Sequence, residues 1–122
     1  MSKRPKPTVL ICDDEEGIRE SFKLILEDQY SLHFANNGLE ALEVLKTLAP
    51  NLMLLDIKMP KMHGMELLKQ VKKLKPQMPV IIVTGYQSVE MAQEALKLGA
   101  SDYIPKPFES KQILKAVATA IH

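Results

Sequence analysis

Hydrophobic and polar positions along the chain follow two alternating patterns. Short apolar runs, several rich in β-branched residues, predict five strands, and these cover Thr8–Cys12, Ser31–Ala35, residues 52–56, Val80–Thr84 and Asp102–Pro105. Apolar residues at helical spacing follow each run and predict five helices. The first covers residues 16–28, the second reaches Leu48 before Pro50, the third ends before Pro76, the fourth runs from Ser88 to Gly99, and the fifth ends near Ile121.

Strict alternation of strands and helices with short connections predicts the fold class. It favours an α/β fold with a doubly wound five-stranded parallel sheet and helices on both faces. The continuous apolar run over residues 52–55 suits a strand that is buried on both faces, whereas the alternation in Ser31–Ala35 suits an edge strand. We expect a single domain over residues 1–122, with residues 1–7 as a flexible, basic N-terminal arm.

Composition and charge narrow the possible partners. The net charge is +1, so no strong attraction to nucleic acid or to an anionic membrane is expected. No apolar run approaches the roughly 20 residues of a membrane span. The one cysteine, Cys12, lies inside an apolar run and is predicted to be a buried, inert thiol. These features are typical of a cytoplasmic protein that does not contact nucleic acid directly.

Polar side chains follow the predicted strands where each strand ends. Asp13 and Asp14 follow the first strand, Asp56 ends the third, Thr84 ends the fourth, and Lys106 follows the fifth. Because the carboxyl ends of parallel strands lie at one edge of a sheet, these residues are expected to converge although they are distant in sequence.

This set of side chains favours phosphoryl chemistry. Three carboxylates close together repel one another, and a hard divalent cation such as Mg²⁺ (or Mn²⁺) relieves that repulsion. The Lys106 ammonium and the Thr84 hydroxyl can hold phosphoryl oxygens, and a carboxylate beside them can act as nucleophile and form an aspartyl phosphate. Glu15 and Glu16 are interpreted as solvated acids of the first helical turn.

Four motifs occur in a fixed order on this pattern. They are the acidic pair Asp13-Asp14, the segment D-x-x-M-P-x-x-x-G over residues 56–64, Thr84-Gly85, and Y-I-P-K-P-F over residues 103–108. In this order the chain resembles the receiver domain of bacterial two-component response regulators over residues 8–121. The resemblance implies a flavodoxin-like (βα)5 fold with strand order 2-1-3-4-5.

The resemblance also implies a role for each matching residue. Asp56 is expected to be the phosphoacceptor. Metal binding falls to Asp13, Asp14, Asp56 and the backbone carbonyl of Lys58. Thr84 and Lys106 are expected to bind the phosphoryl group, and Tyr103 to be the switch aromatic that turns inward as Thr84 moves. The Lys106–Pro107 peptide bond is expected to be cis.

Three loop residues carry further expectations. Lys58 and Tyr86 each stand two residues after a site residue, and the resemblance implies that they flank the phosphoryl group. We hypothesise that the Tyr86 ring slows hydrolysis of the aspartyl phosphate. Gly64 can adopt backbone angles that other residues avoid.

The predicted function is that of a phosphorylation-dependent signalling switch. A sensor histidine kinase or a histidine phosphotransfer protein would phosphorylate Asp56, and residues 85–121 would then contact an output domain or a second copy of the chain. No enzymatic activity beyond the domain's own phosphotransfer and dephosphorylation is expected. Three alternatives stay open at this point: a docking module that is independent of phosphorylation, a flavin-binding flavodoxin-like carrier, and a metal-dependent phosphatase.

Overall fold

The computed structural model describes residues 5–58 and 64–121, in which strands and helices alternate along the chain. The strands are β1 (Thr8–Cys12), β2 (Ser31–Ala35), β3 (Leu52–Leu55), β4 (Val80–Thr84) and β5 (Asp102–Pro105). The helices are α1 (Glu16–Leu26), α2 (Gly38–Leu45), α3 (Gly64–Leu74), α4 (Val89–Lys97) and α5 (Ser110–Ile121).

The strands form one parallel sheet in the order β2-β1-β3-β4-β5. The predicted α/β class, the doubly wound topology and the strand order are therefore confirmed. Strand β2 lies at an edge, as its alternating sequence predicted. The central strand β3 lies between β1 and β4. Asp56, which follows β3, is therefore flanked by Asp13 after β1 and by Thr84 at the end of β4.

The side chains of β3 show why its sequence is continuously apolar. Leu52 and Leu54 pack on one face with residues of α1 and α5, while Met53 and Leu55 pack on the other face with residues of α2, α3 and α4. All four β3 side chains are buried. Because both faces of the sheet are covered, the strand has no solvent-exposed position that a polar residue could occupy.

Several predicted element ends differ from the observed ones. Helix α1 ends at Leu26 and not at residue 28, and α4 covers Val89–Lys97 and not residues 88–99. Strand β3 ends at Leu55, one residue earlier than predicted, although the Asp56 N–H still donates to the Cys12 carbonyl (3.0 Å). Helix α2 ends at Leu45 and does not reach Leu48. Its chain tightens after Leu45, because the next N–H groups bond to carbonyls three residues back, and Pro50 disfavours a further helical turn.

The two glycines that flank helices act for different reasons. Gly64 begins α3 and is not in the left-handed region, so its conformational freedom is not used there. It is required by space, since a Cβ there would overlap the backbone and side chain of Ile57. Gly99 has a φ of 106° and ends α4. The N–H groups of Gly99 and Ala100 bond to Leu96 and Ala95, which is a Schellman motif.

Several predictions fall partly outside the described residues. Residues 1–4 of the proposed arm and residues 59–63 of the D-x-x-M-P-x-x-x-G segment are among them. The end of the arm is attached to the domain, because the Pro7 carbonyl accepts from the Ser31 N–H (2.9 Å) and the Lys6 amine donates to the Glu27 carbonyl (3.2 Å). Within residues 5–58 and 64–121, no helix is both long and apolar enough to cross a membrane.

Candidate functional site

Two buried carboxylates lie side by side at the carboxyl edge of the sheet. Asp13 and Asp56 follow β1 and β3, which are paired so that Cys12 lies opposite Leu55. Only 2% of Asp13 and 3% of Asp56 is exposed. Buried carboxylates are unfavourable unless hydrogen bonds or opposite charges compensate them, so their surroundings must supply both.

Backbone donors fix one oxygen of each carboxylate. Asp13 Oδ1 accepts from the Glu15 N–H (2.9 Å), and Asp56 Oδ1 accepts from the Lys58 N–H (2.8 Å). Both bonds join a residue to the one two positions later, which is the local pattern that aspartate favours at turns. The chain immediately after each strand therefore orients the aspartate that ends it.

Lys106 supplies the opposite charge. Its ammonium lies 2.9 Å from Asp13 Oδ2, 2.9 Å from Asp56 Oδ2 and 3.5 Å from Glu15 Oε1. Burial alone would lower the pKa of Lys106, but the hydrogen bonds and charges of Asp13 and Asp56 outweigh it and raise that pKa. For Asp13 burial has the larger effect, and it raises the pKa of this carboxyl despite its bonds to Glu15 and Lys106. One ammonium therefore does not fully compensate the acids around it.

The acids form a cluster that suits a hard cation. One carboxylate oxygen from each of Asp13, Asp14, Glu15 and Asp56 lies within 4.8 Å of the other three. Oxygen donors that carry excess negative charge are the ligands that Mg²⁺ prefers, and the exposed Asp14 and Glu15 leave room for the waters that Mg²⁺ retains. The donor set of the described residues thus fits a magnesium ion.

Arg19 holds the loop that carries the acidic pair. Its guanidinium donates from Nη1 to the backbone carbonyl of Asp13 (2.9 Å). The Asp13 N–H in turn donates to the Ala35 carbonyl at the end of β2 (3.1 Å). The backbone of Asp13 is therefore fixed by both a neighbouring strand and the following helix.

The opposite side of the site is formed by Thr84 and the loop after it. Thr84 is fully buried, and its Oγ1 accepts from the Tyr86 N–H at 3.4 Å. The Tyr103 hydroxyl donates to the Tyr86 carbonyl (2.9 Å). Burial, followed by the charge of Asp56, raises the pKa of Tyr103. The Lys58 ammonium lies 5.4 Å from the centre of the Tyr86 ring, a cation–π contact that joins the two sides.

Cys12 is buried directly beneath the acids. Burial and then the charges of Asp13 and Asp56 raise the pKa of its thiol to about 12. The thiol is consequently protonated at neutral pH, where it is a poor nucleophile. The prediction of a buried thiol is confirmed.

The structure brings most of the predicted site residues together. Asp13, Asp14, Asp56 and Lys106 meet as described, Thr84 ends the adjacent strand, and the Lys106–Pro107 bond is cis as expected. The N–H of Lys58 contacts Asp56, while metal ligation by its carbonyl stays a prediction.

Two contacts at the site were not predicted from the sequence. Glu15 is exposed as predicted, but it precedes α1 and its carboxylate belongs to the acidic cluster. Four consecutive acids immediately after a strand are a signal that would have suggested this. Gln87 contacts the backbone of Lys106 (3.0 Å), and no feature of its sequence indicates that bond.

A parallel (βα)5 sheet with clustered acids, a threonine and a lysine at its carboxyl edge is the arrangement expected of a signalling receiver. Comparison with known families agrees. The chain belongs to the family described as the response regulator receiver domain, which it matches over residues 9–118.

Curated relatives contain this domain as a part. The regulatory protein AtoC of Escherichia coli is 39% identical over 114 residues, which cover 93% of this chain and 25% of AtoC. The response regulator MprA of Mycobacterium leprae is 34% identical over 110 residues, which cover 89% of this chain and 48% of MprA. The chain thus spans a quarter to a half of the length of these two relatives.

Solved structures show the same fold. A CheY-like receiver domain protein from Methanospirillum hungatei superposes with a TM-score of 0.91 at 38% identity, covering 95% of this chain and 94% of that one. NtrX from Brucella abortus gives a TM-score of 0.89 at 32% identity, covering 95% of this chain and 27% of NtrX.

Proposed function

We propose that this chain is a phospho-accepting receiver in which Asp56 is the phosphoacceptor. The observation that carries the proposal is the convergence of Asp56, Asp13 and Lys106 at the carboxyl edge of the sheet, with both ion-pair distances at 2.9 Å. If Asp56 served only to accept backbone hydrogen bonds from its own loop, it would not need to be buried or to contact a lysine 50 positions away in sequence. This set supplies a nucleophile and a positive charge within reach of one phosphoryl group.

The reaction is a transfer between two nucleophiles. An oxygen of the Asp56 carboxylate attacks the phosphorus of a phosphohistidine on a sensor kinase or a histidine phosphotransfer protein. The O–P bond forms as the P–N bond breaks, and the imidazole departs with the bonding electron pair. Lys106 stabilises the phosphoryl oxygens during the transfer, and the Thr84 hydroxyl donates to one of them in the product.

Asp13, Asp14 and Asp56 would hold a magnesium ion, together with the Lys58 carbonyl. When bound, Mg²⁺ supplies charge compensation for the phosphoryl oxygens. Glu15 is close enough to the cluster to orient a water in the same site. In the protein without metal, Lys106 partly fulfils this role by contacting both buried acids.

The phosphoryl group changes the site in a way that reaches its surface. It adds about −1.5 to −2 charges, which draw Thr84 toward it. Thr84 then loses its 3.4 Å contact with the Tyr86 N–H, which is long and therefore weak. The Tyr103 hydroxyl donates to the Tyr86 carbonyl, so Tyr103 responds to a change at Tyr86. The surface formed by α4, β5 and α5 thereby acquires a second arrangement that an output domain or a second copy can recognise.

The family supports a proposal for the cellular setting. Relatives such as MprA are named response regulators and extend beyond the matched region, which supports a histidine kinase as donor and a further domain as recipient of the signal. We propose a cytoplasmic location and no direct contact with nucleic acid. Catalysis by this domain is limited to its own phosphotransfer and dephosphorylation.

Intact-mass measurement after incubation with Mg²⁺ and acetyl phosphate tests the proposal. The wild-type protein should gain one phosphoryl group with Mg²⁺ and none when a chelator is present during the incubation, whereas Asp56→Asn should gain none in either case. Parallel incubation with a phosphorylated histidine kinase covers the protein donor. A wild-type protein that accepts no phosphoryl group from either donor would indicate a docking module instead.

A further inference from the structure

Lys106 is held at its charged end by the acids and at its backbone by two other segments. Its N–H donates to the carbonyl of Thr84 (2.8 Å), which is the last backbone bond between β4 and the chain that follows β5. Beyond it the backbone leaves the sheet, and the Lys106 carbonyl accepts from Nε2 of Gln87 (3.0 Å). The peptide unit between Lys106 and Pro107 has no N–H, so its carbonyl is the group through which it can form a hydrogen bond.

Gln87 makes this bond from a loop that is itself fixed on both sides. The preceding residue, Tyr86, accepts a hydrogen bond from Tyr103 (2.9 Å). The following residue, Ser88, caps α4, since its hydroxyl accepts from the Met91 N–H (3.2 Å). With its backbone fixed in this way, Gln87 loses only side-chain freedom when it donates to Lys106, which lowers the entropic cost of the bond.

We propose that Gln87 is a positioning residue for Lys106, joining the loop after Thr84 to the peptide unit that aims the lysine at the acidic cluster. This inference rests on the proposed function and adds a residue to its machinery. Lysine has a long and flexible stem, so the direction in which its ammonium points depends on how firmly its Cα is held. Small displacements of a group that stabilises a reacting centre reduce rates considerably.

The hydrogen bond from Gln87 to Lys106 also gives a second connection between Lys106 and the chain that follows Thr84. Thr84 and Lys106 are already joined by one backbone bond, and Gln87 adds a second bond three residues after Thr84. A movement of Thr84 toward a phosphoryl group shifts the loop that contains Gln87, and this shift is transmitted to the Lys106 carbonyl. The lysine and the start of α4 thus respond together.

The test compares Gln87→Met with Gln93→Met. Methionine resembles glutamine in length and has no donor, and Gln93 is an exposed residue of α4 that serves as the matched control. The rate of phosphorylation by acetyl phosphate with Mg²⁺ should fall about two- to tenfold in Gln87→Met, the range of one hydrogen bond, and should be unchanged in Gln93→Met. Thermal unfolding checks that both variants are folded.

Two further measurements distinguish positioning from a general structural effect. The NMR resonance of the Lys106 carbonyl carbon should shift in Gln87→Met, and relaxation of the Lys106 side chain should show greater mobility. In a Lys106→Ala background, Gln87→Met should have no additional effect on the rate. An equal fold-loss in both backgrounds, or an unchanged Lys106 resonance, overturns the proposal. If the wild type accepts no phosphoryl group, the proposed function fails, and the Lys106 resonance and mobility alone decide the role of Gln87.

Discussion

The two halves of the site are held in different ways. In the acidic half, Asp13 and Asp56 are almost fully buried and each accepts a backbone N–H from its own turn. In the opposite half, Tyr86 and Gln87 lie in an exposed loop that is joined to β5 and the chain after it by bonds from side chains to backbone carbonyls. The first half is fixed by the sheet itself, whereas the second can rearrange while the sheet stays intact.

Lys106 contacts both halves and carries the charge that faces both buried acids, so its removal should have the largest effect. Lys106→Met leaves Asp13 and Asp56 without their counter-charge, and the free energy of unfolding without metal should fall by about 3 kcal/mol. Phosphorylation by acetyl phosphate should slow about 100-fold, because a preorganised positive charge is lost. Urea unfolding and intact mass measure these two effects.

The control for this variant is Lys46→Met. Lys46 forms an ion pair with Glu43 at 3.0 Å, but the two side chains are 63% and 74% exposed. Its loss should change the free energy of unfolding by less than about 0.5 kcal/mol. Equal effects of the two substitutions would contradict the importance of the buried pairs.

Asp13→Asn should stabilise the protein without metal and remove its response to Mg²⁺. The raised pKa of Asp13 means that the folded state binds a proton more tightly than the unfolded state does. A neutral amide should therefore raise the free energy of unfolding, and Lys106 keeps Asp56 and Glu15 as partners. Urea unfolding with chelator measures the stability without metal, and urea unfolding with Mg²⁺ measures the response to the ion. A variant that is less stable than wild type without metal would contradict the prediction.

The same pKa direction sets a pH dependence for metal binding in the wild type. A proton on Asp13 competes with Mg²⁺, so the affinity should weaken as pH falls, beginning above the ordinary range of an aspartate. Titration of Mg²⁺ at a series of pH values, followed by NMR, measures this competition. An affinity that stays constant down to the ordinary pKa of aspartate would show that Asp13 is not a ligand.

Tyr86→Ala tests whether the exposed loop shields the site. The ring contacts the Lys58 ammonium, and its loss should shorten the lifetime of the phosphorylated protein about two- to fivefold, from the usual size of a cation–π contact. Tyr86→Phe keeps the ring and should behave as wild type. Decay of the phosphorylated mass over time is the measurement, and an unchanged lifetime in Tyr86→Ala would reject shielding.

Tyr103→Phe should have the smallest effect. It removes one partly exposed hydrogen bond to the Tyr86 carbonyl and leaves the ring packed against the apolar cluster. The free energy of unfolding should fall by about 0.5–1 kcal/mol, as measured in urea. A loss of more than about 2 kcal/mol would show that the half formed by Thr84 and the loop after it contributes to the stability of the fold as a whole.

The fold was predictable because its signals are local and repeated. Apolar runs marked four of the five strands with their observed bounds. The parallel sheet then implied that Asp13, Asp56 and Lys106 would meet, since all three follow strands. The sequence failed where a contact depends on the path of a loop. The bonds of Gln87 and Glu15 to Lys106 are of this kind, and the crowding of Gly64 by Ile57 is likewise visible only in three dimensions.

The contacts of Lys106 span 93 positions to Asp13 and 50 to Asp56. No contiguous fragment shorter than nearly the whole domain contains all three groups. A chain in which β5 has not yet joined the sheet therefore lacks the lysine, and one in which β1 is displaced lacks an acid. A ligand that requires the assembled set stabilises only the completed fold, so a chain that binds such a ligand has already brought β1, β3 and β5 together.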